Sequence, residues 1–320
     1  MKVVVTRPIP EVGLDLIRAT GAEVVVHDDR PKSEDELCEL VQGADVIIPL
    51  LSEKITQRVL DAAGEQLRAI CQFTVGYDNV DVEALKAKNL RLTNTPGAVS
   101  APAVVETALA LMFAIGRHML PADRFMRSGQ YSQWDPNLFL GADFAGKTVG
   151  IIGSGQIGAQ FAAACHNGLK MRVVYYDVQK NERIEKELGA MQMTIEQVLH
   201  EADVVSLHVP LLDSTRHLMN AERFGLMKPT AILLNTSRGP VVDEVALLTA
   251  LQNKQIAGAG IDVYENEPNF TPGLEALDNV VMTPHIGSAT FATRLAMSEA
   301  CGRNAVAVLT DQEVPNLIKF

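Results

Sequence analysis

Gly153-Ser154-Gly155-Gln156-Ile157-Gly158 follows the apolar run Val149 to Ile152 directly and opens a helical pattern from Gln156 to Asn167. Those are the surroundings a dinucleotide phosphate needs. The first glycine permits the tight turn, the second lets a pyrophosphate approach the backbone, and the third lets helix and strand pack closely. Asp177 ends the next apolar run, Val173 to Tyr176, 19 residues past Gly158. A carboxylate there accepts hydrogen bonds from two ribose hydroxyls and repels a 2′-phosphate, so the reading predicts NAD rather than NADP. Lys180 is the one nearby cation that opposes it.

In an open parallel sheet, ligands lie beyond the carboxyl ends of the strands, which narrows the search for reactive groups. Three such ends carry Arg238 in Thr236-Ser237-Arg238-Gly239, Glu265 and Glu267 in Val263-Tyr264-Glu265-Asn266-Glu267-Pro268, and His285 in Thr283-Pro284-His285-Ile286-Gly287-Ser288. Singly, the Arg could bridge domains, the acid could be a solvated turn residue and the His could cap a loop. Together with the glycine motif they suit carbonyl reduction by hydride. A His donates the proton to the developing alkoxide, a neighbouring carboxylate favours the imidazolium, and a guanidinium fork selects 2-oxo acids over plain ketones.

A second glycine pattern competes. Gly141 to Thr148 spells the phosphate-loop pattern GxxxxGK[ST], but Lys147 and Thr148 run into an apolar strand instead of out of one into a helix. Without a helix N-terminus the pattern lacks its phosphate cradle, so it reads as a turn entering a strand.

The elements that must carry these residues follow from alternating short apolar runs and amphipathic stretches. Runs at Val3–Val5, Val24–Val26, Val46–Ile48, Ala69–Cys71 and Leu90–Leu92 predict five strands in the first hundred residues, with helices between them. After the turn-rich Asn94 to Gly97, one long helix is expected from Ser100 to Ser128, with Pro102 in its first turn. A second series, near residues 149, 173, 204, 232, 260 and 280, supplies six strands, which suits a complete dinucleotide fold. A last helix, Thr290 to Leu309, is expected to return to the first domain. The fold class is therefore α/β with two doubly wound parallel-sheet domains: a flavodoxin-like substrate domain over 1–98 and 289–320, and a Rossmann NAD domain over 99–288, with hinges near Gly97 and Ser288.

The chain has 320 residues, 47% hydrophobic and 21% charged, with 28 Lys plus Arg against 39 Asp plus Glu. Its net charge of −11 offers no cationic field for nucleic acid or anionic lipid. The stretch Ala101 to Ile115, interrupted by Glu106, reads as too short to span a bilayer, and no secretory signal is visible. Four widely spaced cysteines, with no CxxC pair or zinc-type spacing, predict reduced thiols in a cytoplasmic protein without a metal.

Over essentially its whole length the sequence resembles the D-isomer-specific 2-hydroxyacid dehydrogenase family. The resemblance rests on Phe73 to Asp81, the Gly153 motif, Asn235 to Asp243, Asp262 to Pro268, and Pro284 to Thr290. It implies that Arg238 binds the substrate carboxylate and keto oxygen, that Glu267 tunes His285, and that His285 is the acid/base. It also implies that the amides of Val75 and Gly76, with Ser288, complete the substrate site, and that Pro210, Thr236, Asp262, His285 and Gly287 line the cofactor. The ending His285 to Thr290 is similar to the glyoxylate and hydroxypyruvate reductase branch, whereas formate dehydrogenases of this superfamily carry Gln in place of Glu267. In some members of that branch a segment similar to Gly129 to Trp134 sends its Trp into the partner's site, so a homodimer is expected. Leu109, Met112, Phe113 and Met126 supply apolar surface beyond one core face. The rival from another class is a non-catalytic NAD(H)-sensing scaffold, since corepressors resembling the family keep the same fold.

Overall fold

The computed structural model describes the backbone of residues 1–320 and every side chain except that of Ala98. Two compact units emerge: Met1–Ser100 with Ser288–Phe320, and Ala101–Gly287.

In the first unit, Lys2–Val5 (β1), Glu23–Val26 (β2), Val46–Ile48 (β3), Ala69–Cys71 (β4) and Arg91–Thr93 (β5) alternate with helices Glu11–Arg18 (α1), Glu34–Leu40 (α2), Gln57–Ala63 (α3) and Val82–Ala87 (α4). Ser33, Thr56 and Asp81 each cap a helix by accepting from the amide three residues on. The strands pair in parallel in the order β2-β1-β3-β4-β5, so strand order reverses between β1 and β3. One face of the sheet buries Val4, Ile47 and Ile70 against Leu37, Leu60 and Leu85.

The next stretch holds Gly97–Gly116 (α5) and Met119–Arg127 (α6), so the long helix expected from Ser100 to Ser128 is two helices. The break falls at His118, whose φ of 50° is left-handed and cannot continue a right-handed helix. Because α5 begins at Gly97, Pro102 lies beyond its first turn. The helix also corrects the length reading: its window Val99–Gly116 has a mean hydropathy of 1.7 and is long and apolar enough to cross a membrane. Ala108, Leu111, Met112 and Ile115 of this helix are buried against Ile151 and Val281 instead. Met112, expected among the surplus apolar residues, is therefore core.

The second unit continues with Thr148–Ile152 (β6), Gln156–Leu169 (α7), Arg172–Tyr176 (β7), Glu182–Leu188 (α8), Met191–Gln192 (β8), Ile195–Glu201 (α9) and Val204–Leu207 (β9). Ala221–Phe224 (α10), Ile232–Asn235 (β10), Glu244–Gln252 (α11), Gly258–Ile261 (β11) and Val280–Met282 (β12) complete it. The sheet is parallel, ordered β12-β11-β10-β9-β6-β7-β8, with its reversal between β6 and β9. It has one strand more than expected, the two-residue β8, too short to leave a periodic signal. The run after Lys147 is β6 itself, and Gly146, at φ 72°, makes the turn into it.

Phe291–Leu309 (α12) belongs to the first unit, where it crosses α1 at close range. A Cβ on Gly13 would lie 2.0 Å from the Ser298 carbonyl oxygen, and one on Gly302 would lie 2.7 Å from the Gly13 Cα. The Ser298 hydroxyl accepts from the Gly13 amide at 3.1 Å and donates to the Pro10 carbonyl. Met297, Cys301 and Val308 then join Leu14, Ile17, Val3 and Val5 in the second core of that unit.

Candidate active site

β6 ends in the glycine loop. Gly153 has φ 95°, and a Cβ there would meet the His208 backbone at 2.8 Å. On Gly158 a Cβ would lie 2.0 Å from the Gly153 carbonyl oxygen, so strand and helix touch there. At Gly155, the cap of α7, a Cβ would meet nothing within 4 Å. That opening at a helix N-terminus is a place where a pyrophosphate could be held. Gln156 and Ile157 form the first turn of α7.

Asp177 follows β7. Its Oδ2 accepts from the Ser154 amide at 2.6 Å and hydroxyl at 3.0 Å, and Oδ1 accepts from the Gln179 amide at 3.3 Å. The carboxylate is thereby held over the glycine loop, beside an open hollow of about 530 Å³ that Gln192, Thr194 and Arg223 also line. Lys180 is turned to Glu185, 3.0 Å away, and that hydrogen bond raises its pKa.

β10 ends in Asn235, a buried residue that shapes the following turn. Its Oδ1 accepts from the Ser237 amide and hydroxyl, and its Nδ2 donates to the Arg238 carbonyl at 3.0 Å. Arg238 donates from Nη1 to the Ser237 carbonyl at 2.7 Å. A Cβ on Gly239 would lie 1.8 Å from the Tyr264 carbonyl oxygen, so only glycine lets the Arg238 turn lie against the segment after β11. The buried Thr236 hydroxyl has no hydrogen-bond partner among the described residues, as suits a group kept for a ligand.

Asp262, 1% exposed, organises the loop after β12. Its Oδ1 accepts from the Thr283 hydroxyl at 2.6 Å and the Ile286 amide at 2.8 Å, its Oδ2 accepts from the Gly287 amide at 2.7 Å, and its carbonyl accepts from the His285 amide at 2.9 Å. His285, at φ 54°, is held in a left-handed conformation by that web.

Glu267 and His285 meet. The imidazole Nδ1 lies 2.9 Å from Oε2 of Glu267, whose Oε1 accepts from the Tyr264 amide at 3.0 Å. Burial pushes the Glu267 carboxyl up, but the His285 hydrogen bond and charge, the Tyr264 amide and the Arg238 charge outweigh it and hold the pKa below the usual value. Glu265 goes elsewhere, with Oε1 2.6 Å from Nε2 of His217.

In the first unit, Val75 and Gly76 sit in the loop after β4. Asn94 Nδ2 donates to the Val75 carbonyl and the Thr74 hydroxyl donates to the Gly76 carbonyl, both at 2.7 Å. Pro210 follows β9, its carbonyl accepting from the Thr215 hydroxyl. The Thr107 hydroxyl donates to the Gly287 carbonyl, and the Ser288 carbonyl accepts from the Thr290 amide. Motif reading passed over Ser154, Tyr264, Glu244 and His217. Ser154 was legible as the variable position of the glycine motif and Tyr264 acts on Glu267 three residues on, but Glu244 and His217 act through contacts distant in sequence.

A glycine loop at a strand-to-helix turn, an acid at the end of the next strand, and a His–Glu pair at the far strand ends define a dinucleotide-dependent oxidoreductase. Residues 109–287 match the family model described as D-isomer specific 2-hydroxyacid dehydrogenase, NAD binding domain, and the chain belongs to that family. Glyoxylate reductase of Pyrococcus furiosus is 43% identical across 99% of this chain and 95% of the relative. The TT0316 protein of Thermus thermophilus, 41% identical, superposes over the whole of both chains with a TM-score of 0.93. An NADPH-dependent glyoxylate/hydroxypyruvate reductase from Sinorhizobium meliloti, 30% identical, covers 99% of this chain and 97% of its own, with a TM-score of 0.85. This protein is accordingly a D-2-hydroxyacid dehydrogenase with a dinucleotide-binding domain.

Proposed function

We propose that the protein reduces small 2-oxo acids, glyoxylate or hydroxypyruvate foremost, to D-2-hydroxy acids with NADH. The observation that carries the reading is the 2.9 Å contact between His285 Nδ1 and Glu267 Oε2 at the carboxyl ends of the second sheet. A bound nicotinamide supplies the hydride. With Nδ1 turned to the carboxylate, Nε2 of His285 donates the proton to the carbonyl oxygen, and Glu267 stabilises the imidazolium before transfer. Arg238 clamps the substrate carboxylate, the amides of Val75 and Gly76 hold its other edge, and Ser288 contacts the substrate. Gly153, Gly155, Gln156, Ile157 and Gly158 would hold the cofactor, with Pro210, Thr236, Asp262, His285 and Gly287 also lining it. Asp177 selects NADH by accepting from the ribose hydroxyls, and the nearby Lys180 supports this by pairing with Glu185. Residues 1–98 and 289–320 serve as the substrate domain and 99–288 as the NAD domain.

The working form is a homodimer. Met119, Met126, Trp134 and Leu140 leave large apolar side chains exposed on α6 and the chain after it, and Trp134 approaches the neighbour's site. Four buried free thiols, Cys38, Cys71, Cys165 and Cys301, suit the reducing cytoplasm. Turnover of a panel of 2-oxo acids with NADH and NADPH tests the reading. Tight NADH binding without turnover of any 2-oxo acid would point to a sensing scaffold instead.

A further inference from the structure

Glu244 is a buried carboxylate with no part in the chemistry above. It is the first residue of α11 and only 3% exposed. One of its oxygens, Oε1, accepts from the Glu265 amide at 2.5 Å, and the other, Oε2, accepts from the Thr271 amide at 2.7 Å. Those amides stand at the first and last positions of the segment 265–271, so one side chain closes the segment that carries Glu267 at both ends. The grip is reciprocal, because Oε2 of Glu265 accepts from the Glu244 amide at 3.4 Å. His217 adds to it: its Nε2 meets Glu265, and its amide donates to the Pro240 carbonyl at 2.8 Å, two residues past Arg238.

A carboxylate is expensive to bury unless its oxygens accept hydrogen bonds, and Glu244 meets that requirement with these two amides and a place in the first turn of a helix. Glu267 is half-exposed, with His285 and the Tyr264 amide as its hydrogen-bond partners. Its position thus depends on the backbone that carries it. We propose that Glu244 is a positioning residue for the reaction: by clamping both ends of 265–271 it sets the distance between Glu267 and His285. The proposal rests on the acid–base reading given above. The groups facing Glu267 are His285, Tyr264 and Arg238.

Glu244→Gln keeps the shape but places an NH2 where one of the amides needs an acceptor. The expected result is a roughly 10-fold lower kcat for glyoxylate reduction, about 1.4 kcal/mol, with KM within twofold because Arg238 is untouched. The alkaline limb of the pH profile should move to lower pH, as for Glu267→Gln. The double variant should be about as slow as Glu267→Gln alone, since the two changes remove one function. An unmoved limb with unchanged kcat, or effects that multiply in the double variant, would overturn the proposal. If Glu244→Gln does not fold, Glu244→Asp keeps the charge but reaches only one amide, and the same limb should shift by less; an unshifted limb overturns it. If Glu267→Gln itself leaves the limb in place, the acid–base reading fails instead. Amide exchange still tests the clamp in that case: faster exchange at Glu265 and Thr271 in Glu244→Gln supports it, and unchanged exchange refutes it.

Discussion

At pH 7 the lowered pKa of Glu267 keeps it ionised, and the sign of its linkage follows. The stability it contributes is fully present above the ordinary glutamate value and is lost as pH falls through its lower folded value. With His285 as the proposed proton donor, the rate of reduction should fall on the alkaline side. In the proposed assignment Glu267 favours the imidazolium, so Glu267→Gln, which deletes that charge, should move the alkaline limb to lower pH. His285→Ala should lower kcat roughly 100-fold or more while NADH affinity, followed by fluorescence titration, stays nearly constant. Asp177 poses a separate question, because a relative 30% identical over nearly its whole length is NADPH-dependent. In the proposed assignment Asp177 accepts from the ribose and repels a 2′-phosphate, and Asp177→Ala removes both effects. The ratio of kcat/KM for NADH over NADPH should drop by about 10-fold, and equal use of both cofactors by the unmodified protein would refute the assignment.

The elements succeed or fail on close approaches. The crossing of α1 with α12 depends on Gly13, where an added methyl would be driven into the Ser298 carbonyl. Gly13→Ala should cost about 1–3 kcal/mol, read as a lower urea midpoint, and an unchanged midpoint would mean the crossing can relax. The turn into β6 yields the opposite expectation. Lys147 leads into a strand, with its amide bonded to the Phe144 carbonyl and Thr148 beginning β6. Lys147→Ala should leave reductase turnover nearly intact, and the protein should show no magnesium-dependent ATP hydrolysis; an ATPase lost in that variant would reverse the choice.

As a whole molecule, the chain combines a net charge of −11 with a local concentration of exposed apolar side chains on α6 and the stretch after it. Trp134, 76% exposed in the single chain, is the extreme case. Such a patch on an otherwise charged surface is what a two-fold interface would cover. Sedimentation equilibrium should therefore give twice the 34.7 kDa chain mass at micromolar concentration, and a monomer there would sink the proposal. Met126→Lys, which places a charge in the patch, should weaken the dimer while leaving the unfolding midpoint of the chain almost unchanged.

Local chemistry was legible in the sequence because it is written in neighbouring residues. Runs of Val and Ile flanked by turn residues marked the parallel strands, and glycines spaced two and three apart marked the turn from β6 into α7. Polar residues beyond β10, β11 and β12 pointed to Arg238, Glu267 and His285. The family resemblance put Glu267 with His285, but the residues by themselves left Glu265 and Glu267 equivalent, and the tertiary structure shows which carboxylate meets which imidazole. Glu265 and Glu267 stand two residues apart with the same chemistry, yet one turns to His217 and the other to His285. It also decided that α5 and α6 part at His118, that Met112 is core, and that Glu244 grips a loop more than twenty residues away. The physical reason is range: periodicity and turn preference act over a few residues, whereas a side chain's partner depends on how separate strand ends and their loops pack.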